Sequence, residues 1–299
     1  MNLAAITYDH SRLSSTAALA AYARARTDIP YAFAIGQAVR AHETTSAVLG
    51  SILPRMAGIA APLFEARYRS VTAGLKARNA GNILELAMGF SPRGLEHAGC
   101  GGVYVGTDLA EALPESARVL RTIASQNNIS PDHLHFRAVN VLDACQLEEA
   151  VAQFGKEQFT VCAEGLLLHF SREEQACAAE NLRSVLAGRG SFITPDIDSV
   201  ESFDRTMHCF GYVLGSLCTG IMTRIAGHTG RQMSDSYFPT DAAAQQFFTD
   251  AGYLVQTVPW YDGAVEMRSL ARLPHMLQSR VEAALKTKKT WIVTPKHHS

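Results

Sequence analysis

The stretch Asn82-Ile-Leu-Glu-Leu-Ala-Met-Gly-Phe-Ser-Pro-Arg-Gly94 decides the fold of this protein. An apolar run through Glu85 passes directly into a turn of small residues and then into a sequence that can begin a helix, as at the start of an α/β nucleotide-type site. A second apolar run, Val103-Tyr-Val-Gly-Thr-Asp108, ends in a carboxylate 23 positions after Glu85. That is about the spacing at which an acidic residue meets ribose hydroxyls, so we expect a cofactor-binding enzyme.

From Asn82 onward, short apolar runs alternate with helical patterns, and this alternation predicts a parallel, doubly wound α/β sheet. Ser171-Arg-Glu-Glu174 has the spacing of a capping box, and Gly188 is placed to end the same helix. The predicted strands are 82–86, 103–107, 134–139, 159–163, 191–194, 253–258 and 290–294. The predicted helices start near 91 and cover 114–126, 146–154, 172–187, 241–251 and 274–285. We expect the last strand to close the edge of the sheet.

The regions outside this alternation predict two additions to the sheet. Residues 1–78 show helical spacing interrupted at Pro30 and Pro54, which predicts an N-terminal helical cap on a domain formed by 79–299. The alternation lapses over 197–238, which we interpret as a lid-like insertion over the site. Its methionines and aromatic residues suit either the wall of an apolar pocket or simple packing, including a dimer contact. They are Phe203, Met207, Phe210, Tyr212, Leu214, Leu217, Met222 and Met233.

The composition excludes several classes of protein. The 299 residues are 47% hydrophobic with a formal net charge of −1, and the basic residues are scattered, so no nucleic-acid surface is expected. The longest apolar segment, Phe210 to Met222, is 13 residues and too short to span a bilayer. Six cysteines without a C-x-x-C motif argue against a disulfide scaffold and a zinc ribbon. With no signal peptide recognised at the start, a cytoplasmic protein is expected.

Polar residues stand at the carboxyl ends of the first five predicted strands, where an open α/β sheet binds its ligands. One such residue would as easily be a helix cap, but five in register indicate a site. They are Glu85 to Gly89, Asp108, Asn140 to Asp143, Glu164 with Gly165, and Asp196 with Asp198.

The glycine turn indicates which cofactor fits. The segment Ala87-Met-Gly89-Phe-Ser-Pro92 lacks the full G-x-G-x-x-G pattern, and Pro92 has no amide hydrogen for a phosphate. S-adenosyl-L-methionine (SAM) has no phosphates and suits this turn better than a dinucleotide does. Asp108, with Leu109 beside it, would accept the ribose hydroxyls, and the region of Asn140 and Val141 would meet the adenine. Either Glu85 or Glu164 would attract the ammonium or sulfonium group, and a nicotinamide oxidoreductase remains as an alternative.

Two motifs resemble a known family. The stretch from Ile83 to Gly94, followed by Ala163-Glu-Gly-Leu-Leu-Leu-His-Phe170, looks like the leucine carboxyl methyltransferase family of class I SAM-dependent methyltransferases, particularly its polyketide O-methyltransferase branch. The resemblance covers roughly residues 15–260. It implies a Rossmann-like class I methyltransferase sheet, SAM as the cofactor, and O-methylation of a small-molecule or natural-product-like acceptor at a hydroxyl or carboxylate.

The family also uses an arginine from the N-terminal region to hold the SAM carboxylate. By resemblance this role falls to Arg69, in the pair Arg67-Tyr-Arg69, or to Arg24, and a solvated helix face is the alternative for either residue. A planar guanidinium is suited to a carboxylate.

The sequence departs from the family pattern at Ala87, where a glycine is common, and at His169, where the family usually has tyrosine. Methyl transfer depends mainly on positioning, and only a hydroxyl acceptor gains from a base. His169 and His208 are the candidates for that base, with a structural role as the alternative.

Other acceptors and roles remain open at this point. A protein C-terminal carboxylate would be a different acceptor, and a SAM-binding protein without methylation would be a different class. His133-Leu-His135 lacks a third ligand at metal-site spacing, so no metal is expected. The expected partner is a small-molecule acceptor, with no nucleic acid and no membrane, and a homodimer is left open.

Overall fold

The computed structural model describes residues 10–49, 53–211, 215–216 and 236–296. Its centre is a seven-stranded sheet of order β3-β2-β1-β4-β5-β7-β6. The strands are β1 (Asn82–Leu86), β2 (Val103–Asp108), β3 (Leu134–Ala138), β4 (Phe159–Ala163), β5 (Gly190–Thr194), β6 (Tyr253–Pro259) and β7 (Lys289–Pro295). The first five strands are parallel, and β7 is antiparallel to both of its neighbours. The predicted doubly wound, Rossmann-like α/β fold is confirmed.

Helices precede the sheet and connect its strands. We number them in chain order through the described parts of the chain. They are α1 (His10–Arg24), α2 (Ala32–Ala38), α3 (Ala41–Leu49), α4 (Leu53–Ala77), α5 (Arg93–Gly99), α6 (Leu113–Gln126), α7 (Ala144–Val151), α8 (Arg172–Leu186), α9 (Val200–His208), α10 (Asp241–Asp250), α11 (Arg268–Ala271) and α12 (His275–Thr287). The predicted capping box at the start of α8 is present, with Ser171 and Glu174 bonding reciprocally.

The central strands are apolar because both faces of the sheet are covered. Alternate residues of a strand point to opposite faces, so Leu84 and Leu86 join one hydrophobic cluster and Ile83 joins another. The first cluster includes Leu147 of α7 and Leu182 of α8. The second includes residues of α4, α5 and α6, such as Val71, Leu95 and Leu120. Because β2, β1 and β4 are parallel neighbours, their carboxyl ends lie side by side at the same end of the sheet.

The long helix α4 covers the sheet over β5 and β7. Val71 and Leu75 share a hydrophobic cluster with Ile193 and Ile292. A Cβ on Gly74 would lie 3.2 Å from Ile193 Cδ1, so the glycine allows the helix to approach the sheet closely. The helices before Asn82 therefore share a core with the strands.

The expectation that the last strand closes the sheet edge is wrong. β7 lies between β5 and β6, and β6 is the edge strand. The burial of the two strands gives the physical reason: Trp291, Ile292 and Val293 are buried, as an interior strand requires, whereas Leu254 of β6 is 59% exposed. The sheet is therefore mixed at this end.

Part of the predicted insertion 197–238 is described. It contains α9, and a parallel bridge between Ser199 and Phe238 joins its two ends. Tyr212, Leu214, Leu217, Met222 and Met233 lie outside the described residues. In the part of the chain that the structure describes, no helix is long and apolar enough to cross a membrane.

Candidate functional site

The turn after β1 has an unusual backbone. Ala87 and Gly89 both have a left-handed conformation, with φ of 48° and 49°. The Met88 amide donates to Thr107 O at 2.8 Å, and the Gly89 amide donates to Asp108 Oδ2 at 2.9 Å. A left-handed alanine costs roughly 1–2 kcal/mol, so this turn holds strain that a glycine would not have.

Asp108 ends β2 beside this turn. Its Oδ1 accepts from the Leu109 amide at 2.9 Å, and its Oδ2 accepts from the Gly89 amide. Burial raises the pKa of this carboxyl above its usual value, and the two backbone hydrogen bonds oppose the rise. A carboxylate has about four lone-pair positions, so Asp108 keeps acceptor capacity for hydroxyl groups.

A cavity of about 240 Å³ opens at the carboxyl ends of β1, β2 and β4. Most of its wall is apolar, with few polar groups, as is usual for small-molecule sites. The residues predicted from sequence that line it are Arg24, Ala87, Gly89, Asp108, Leu109, Asn140, Val141, Glu164, Gly165 and His169. The cavity is also lined by Phe64, Arg67, Leu142, Leu166 and Leu168, none of which was assigned a contact with the cofactor from the sequence.

Glu164 follows β4 and binds three guanidinium groups. Its Oε1 accepts from Arg24 Nη2 at 2.6 Å and from Arg67 Nε at 3.0 Å, and its Oε2 accepts from Arg93 Nη2 at 2.8 Å. Burial alone would raise the pKa of Glu164, but the three arginines lower it to about 2. The carboxylate is therefore ionised at neutral pH.

Glu85 lies beneath the cavity rather than on its wall. Its Oε1 accepts from Arg93 Nε at 3.3 Å, and its Oε2 accepts from the Tyr104 hydroxyl at 2.7 Å. The guanidinium of Arg93 lies 4.2 Å from the centre of the Tyr68 ring and also donates to Thr72 Oγ1 at 2.7 Å. Arg93 therefore links Glu85 to Glu164, and its pKa is raised by these neighbours against the effect of burial.

The three arginines and two glutamates leave one excess positive charge by formal count. Arg24 is buried, and its Nε has no hydrogen-bond partner. An unpaired buried donor carries a desolvation cost of roughly 1–3 kcal/mol, which a bound anion would relieve. Because Arg24 and Arg67 both line the cavity, the donor set fits a carboxylate ligand.

The structure places Arg69 away from this cavity. Its Nε donates to Glu65 Oε1 at 2.8 Å, and its Nη2 pairs with Asp28. Residues two positions apart on a helix point about 200° apart, so Arg67 and Arg69 of α4 cannot both face Glu164. The sequence offered the pair but no signal that selects Arg67. Arg93 was quoted in the decisive stretch, yet nothing local showed that it reaches Glu164.

The two histidines lie in different surroundings. His169 is half-buried, ends a short 3₁₀ turn (Leu167–His169) and lines the cavity. His208 is exposed at the end of α9, its Nδ1 lies 2.7 Å from Asp204 O, and it is not among the residues that line the cavity.

Asp196, at the end of β5, shapes the loop that carries Glu164 and His169. Its carboxylate accepts from the backbone amides of Gly165, Leu166 and Leu167 at 2.7, 2.7 and 3.1 Å. Burial raises its pKa, while Arg67 and the three amides oppose the rise. Asp196 therefore supports the cavity wall from behind, and Asp198 pairs with Lys288 instead.

Comparison with known proteins gives structural likenesses at low sequence identity. No protein-family model matches the sequence, and no curated protein matches it. The magnesium protoporphyrin IX methyltransferase from Synechocystis, solved with S-adenosylhomocysteine (SAH) bound, is 13% identical with a TM-score of 0.47, over 81% of this chain and 87% of that chain. A putative O-methyltransferase from Nostoc punctiforme is 14% identical with a TM-score of 0.47, over 80% and 59% of the two chains.

An O-methyltransferase family protein from Burkholderia thailandensis is 15% identical with a TM-score of 0.46, over 82% of this chain and 60% of that chain. The chain thus spans about three fifths of the length of the Nostoc and Burkholderia proteins. At these identities, likeness concerns the fold alone.

Proposed function

We propose that this chain is a SAM-dependent methyltransferase that O-methylates a small-molecule or natural-product-like acceptor, at a hydroxyl or a carboxylate. One observation carries the proposal: a single cavity presents both the carboxylate of Asp108 and the guanidinium of Arg24, whose buried Nε has no partner. SAM offers the complementary groups, since it has ribose hydroxyls at one end and an amino-acid carboxylate at the other.

The end of the cavity near β2 suits an adenosine. Asp108 would accept the ribose hydroxyls with the lone pairs that its two backbone amides leave unused. Leu109, Val141 and Leu142 offer an apolar surface for the adenine ring. The side chain of Asn140 is bonded to the Leu142 amide, so it shapes this wall.

The end of the cavity near β4 suits the methionine part of the cofactor. Arg24 and Arg67 would hold its carboxylate, and the ionised Glu164 would attract its ammonium or sulfonium group. Arg69 is assigned no contact with the cofactor, because it is bound to Glu65 and Asp28. Glu85 would act only indirectly, through Arg93.

SAM supplies a methyl group on a sulfonium that is already an activated leaving group. The residues of the chain then need to align the acceptor and keep water out, and alignment alone can account for several kcal/mol of the barrier. His169 lines the cavity and would take the proton from a hydroxyl acceptor, whereas a carboxylate acceptor needs no base. The exposed His208 is the less suitable candidate.

The proposal also includes a domain arrangement and a cellular location. Residues 1–78 would act as a helical cap on the domain formed by 79–299, and 197–238 would cover the acceptor. Free thiols at the surface, Cys100 and Cys145, suit the reducing cytoplasm that we expect. No observation favours a protein C-terminal carboxylate as the acceptor.

Calorimetry with SAM, SAH and NADH tests the proposal. We expect binding of SAM and SAH without binding of NADH, and the reverse result would overturn it. Asp108→Ala should weaken SAM binding by about 1–3 kcal/mol, because the ribose donors lose a charged acceptor. Asp132→Ala, at an exposed aspartate that does not line the cavity, is the matched control and should leave the affinity unchanged. Binding without turnover over a broad acceptor panel would point instead to a SAM-binding protein that does not methylate.

A further inference from the structure

We propose that Arg69 is a positioning residue, which anchors the loop after α1 and thereby holds Arg24 at the cavity, without touching the cofactor itself. This inference rests on the proposed function, because it assigns the carboxylate of SAM to Arg24. It differs from the role that family resemblance implies for Arg69.

The anchor is a pair of charged contacts on one guanidinium. Arg69 Nε donates to Glu65 Oε1 at 2.8 Å, one helical turn earlier on α4, and Arg69 Nη2 pairs with Asp28. The side chain of Glu65 is fully buried, whereas those of Arg69 and Asp28 are 31% and 39% exposed. The buried glutamate thus fixes the arginine, and the arginine reaches the loop.

The same loop is tied to the C-terminal part of the chain. The second oxygen of Glu65 accepts from the amide and the hydroxyl of Ser269 on α11. Arg272, just after α11, donates from Nη1 to the Arg26 carbonyl at 3.1 Å. Arg272 therefore reaches the segment between Arg24 and Asp28 directly, and Ser269 reaches it through Glu65 and Arg69.

Asp28 is linked to Arg24 by a compact hydrogen-bonded turn. The Arg24 carbonyl accepts from the Thr27 hydroxyl at 2.6 Å and from the Thr27 amide at 3.0 Å. The Ile29 amide then donates to Thr27 Oγ1 at 3.2 Å, and Ile29 is itself buried. Because these hydrogen bonds hold the turn between the two residues, fixing Asp28 fixes the last turn of α1, from which Arg24 reaches Glu164.

Arg67 and Arg69 therefore support Arg24 from opposite sides of α4, each through a different partner. Arg67 binds Glu164, the partner of Arg24, and Arg69 binds the loop that follows Arg24. Both contacts share the rigid frame of α4, so their spacing is set by the helix. Losing the Arg69 contact would free α1 to shift and would misalign Arg24 before it disturbed any other lining residue.

The test compares two ligands on matched variants. SAH carries the amino-acid carboxylate, and 5′-methylthioadenosine lacks it but retains the adenosine. In Arg69→Gln we expect calorimetry to show SAH affinity about tenfold weaker, the size of effect that residues outside a site can have. Affinity for 5′-methylthioadenosine should stay within about twofold, because its contacts lie at the Asp108 end.

Further variants separate positioning from direct contact. Arg24→Gln should show the same selective loss, and the Arg24→Gln/Arg69→Gln double variant should bind SAH no worse than Arg24→Gln alone. Asp28→Asn, at a half-exposed residue, should reproduce the loss if Arg69→Gln does not fold, and Arg69→Lys should restore part of the affinity. Lys286→Gln breaks a pair of the same Glu-x-x-x-basic spacing on α12 and should change neither affinity.

The other possible results would contradict either the positioning role of Arg69 or the proposed function. Equal weakening of both ligands would reduce Arg69 to a general structural role, and unchanged SAH affinity would remove it from the site. Additive losses in the double variant would mean that Arg69 acts independently of Arg24. Failure of the unaltered protein to bind SAH would instead overturn the proposed function.

Discussion

Two carboxylates, the buried Glu164 and the partly buried Asp108, stand at the same end of the sheet and differ in how they are held. Glu164 is bound by three guanidinium groups, which lower its pKa to about 2 in spite of burial. Asp108 is bound by two backbone amides, and burial raises its pKa. The comparison teaches that neighbouring cations decide the direction in which the pKa of each group is shifted, since burial acts to raise both.

The two carboxylates also differ in how far along the chain their hydrogen-bond partners lie. The partners of Glu164 lie 140, 97 and 71 residues away in the chain, on α1, α4 and α5. Those of Asp108 are its own neighbour and Gly89, 19 residues before it. The Glu164 end therefore depends on tertiary structure, and the Asp108 end belongs to one β–α–β unit, formed by β1, α5 and β2. Four changes test this difference, from the largest expected effect to the smallest.

Glu164→Gln should have the largest effect, because it removes the negative charge that three buried guanidiniums share. We expect a loss of about 3–5 kcal/mol in the free energy of unfolding, measured by urea denaturation. The control is Glu201→Gln, which breaks an exposed pair with Arg205 and should cost less than about 0.5 kcal/mol. Equal losses of stability in the two variants would mean that the contacts of Glu164 with its three arginines contribute little to the free energy of unfolding.

Lowering the pH should change the stability contributions of the two carboxylates in opposite directions. The pKa of Glu164 is lowered from 4.5 to about 2. Its contribution of about 3 kcal/mol is therefore present above pH 4.5 and lost as the pH falls toward 2. The stability difference between the unaltered protein and Glu164→Gln should shrink over this range in urea titrations.

Asp108 should behave oppositely in the same titrations. Its pKa is raised in the folded protein, so its ionisation costs stability and protonation relieves that cost. The stability of the unaltered protein relative to Asp108→Asn should therefore increase as the pH falls. If the stability of the unaltered protein relative to Glu164→Gln and relative to Asp108→Asn changed in the same direction as the pH falls, the comparison would be contradicted.

Gly94→Ala tests the packing beneath the Glu164 end. A Cβ at this position would lie 2.5 Å from Tyr104 Cε1, and the Tyr104 hydroxyl donates to Glu85. Overpacking of this kind costs about 1–3 kcal/mol, which thermal or urea unfolding would measure. Gly81→Ala, where a Cβ meets no atom within 4 Å, should be close to neutral. A neutral Gly94→Ala would show that Tyr104 can move without cost.

Ala87→Gly tests the turn at the Asp108 end and should have the smallest effect. With φ at 48°, the alanine carries a left-handed penalty that exceeds the entropy cost of a glycine. We expect a gain of about 0.5 kcal/mol in urea unfolding. Ala176→Gly, at an exposed position within α8, should instead lose about 1 kcal/mol. A loss at Ala87 would mean that the left-handed turn carries no strain.

The sequence alone predicted the strands and most helices to within a few residues, because apolar runs and their flanking turns are local signals. The strand 82–86, for example, was predicted with the bounds that β1 has. The same holds for the turn from Ala87 to Gly89 and for Asp108, since their contacts form within one β–α–β unit. The residues that line the cavity at this end could therefore be chosen from spacing.

Tertiary structure decided the rest. It selected Arg67 over Arg69, brought Arg93 to Glu164, left Glu85 below the cavity and placed β7 inside the sheet. None of these has a local signal, because the direction of a helical side chain follows from how the whole helix is rotated against the sheet. The pairing of charges across 140 residues likewise depends on which elements the fold brings together.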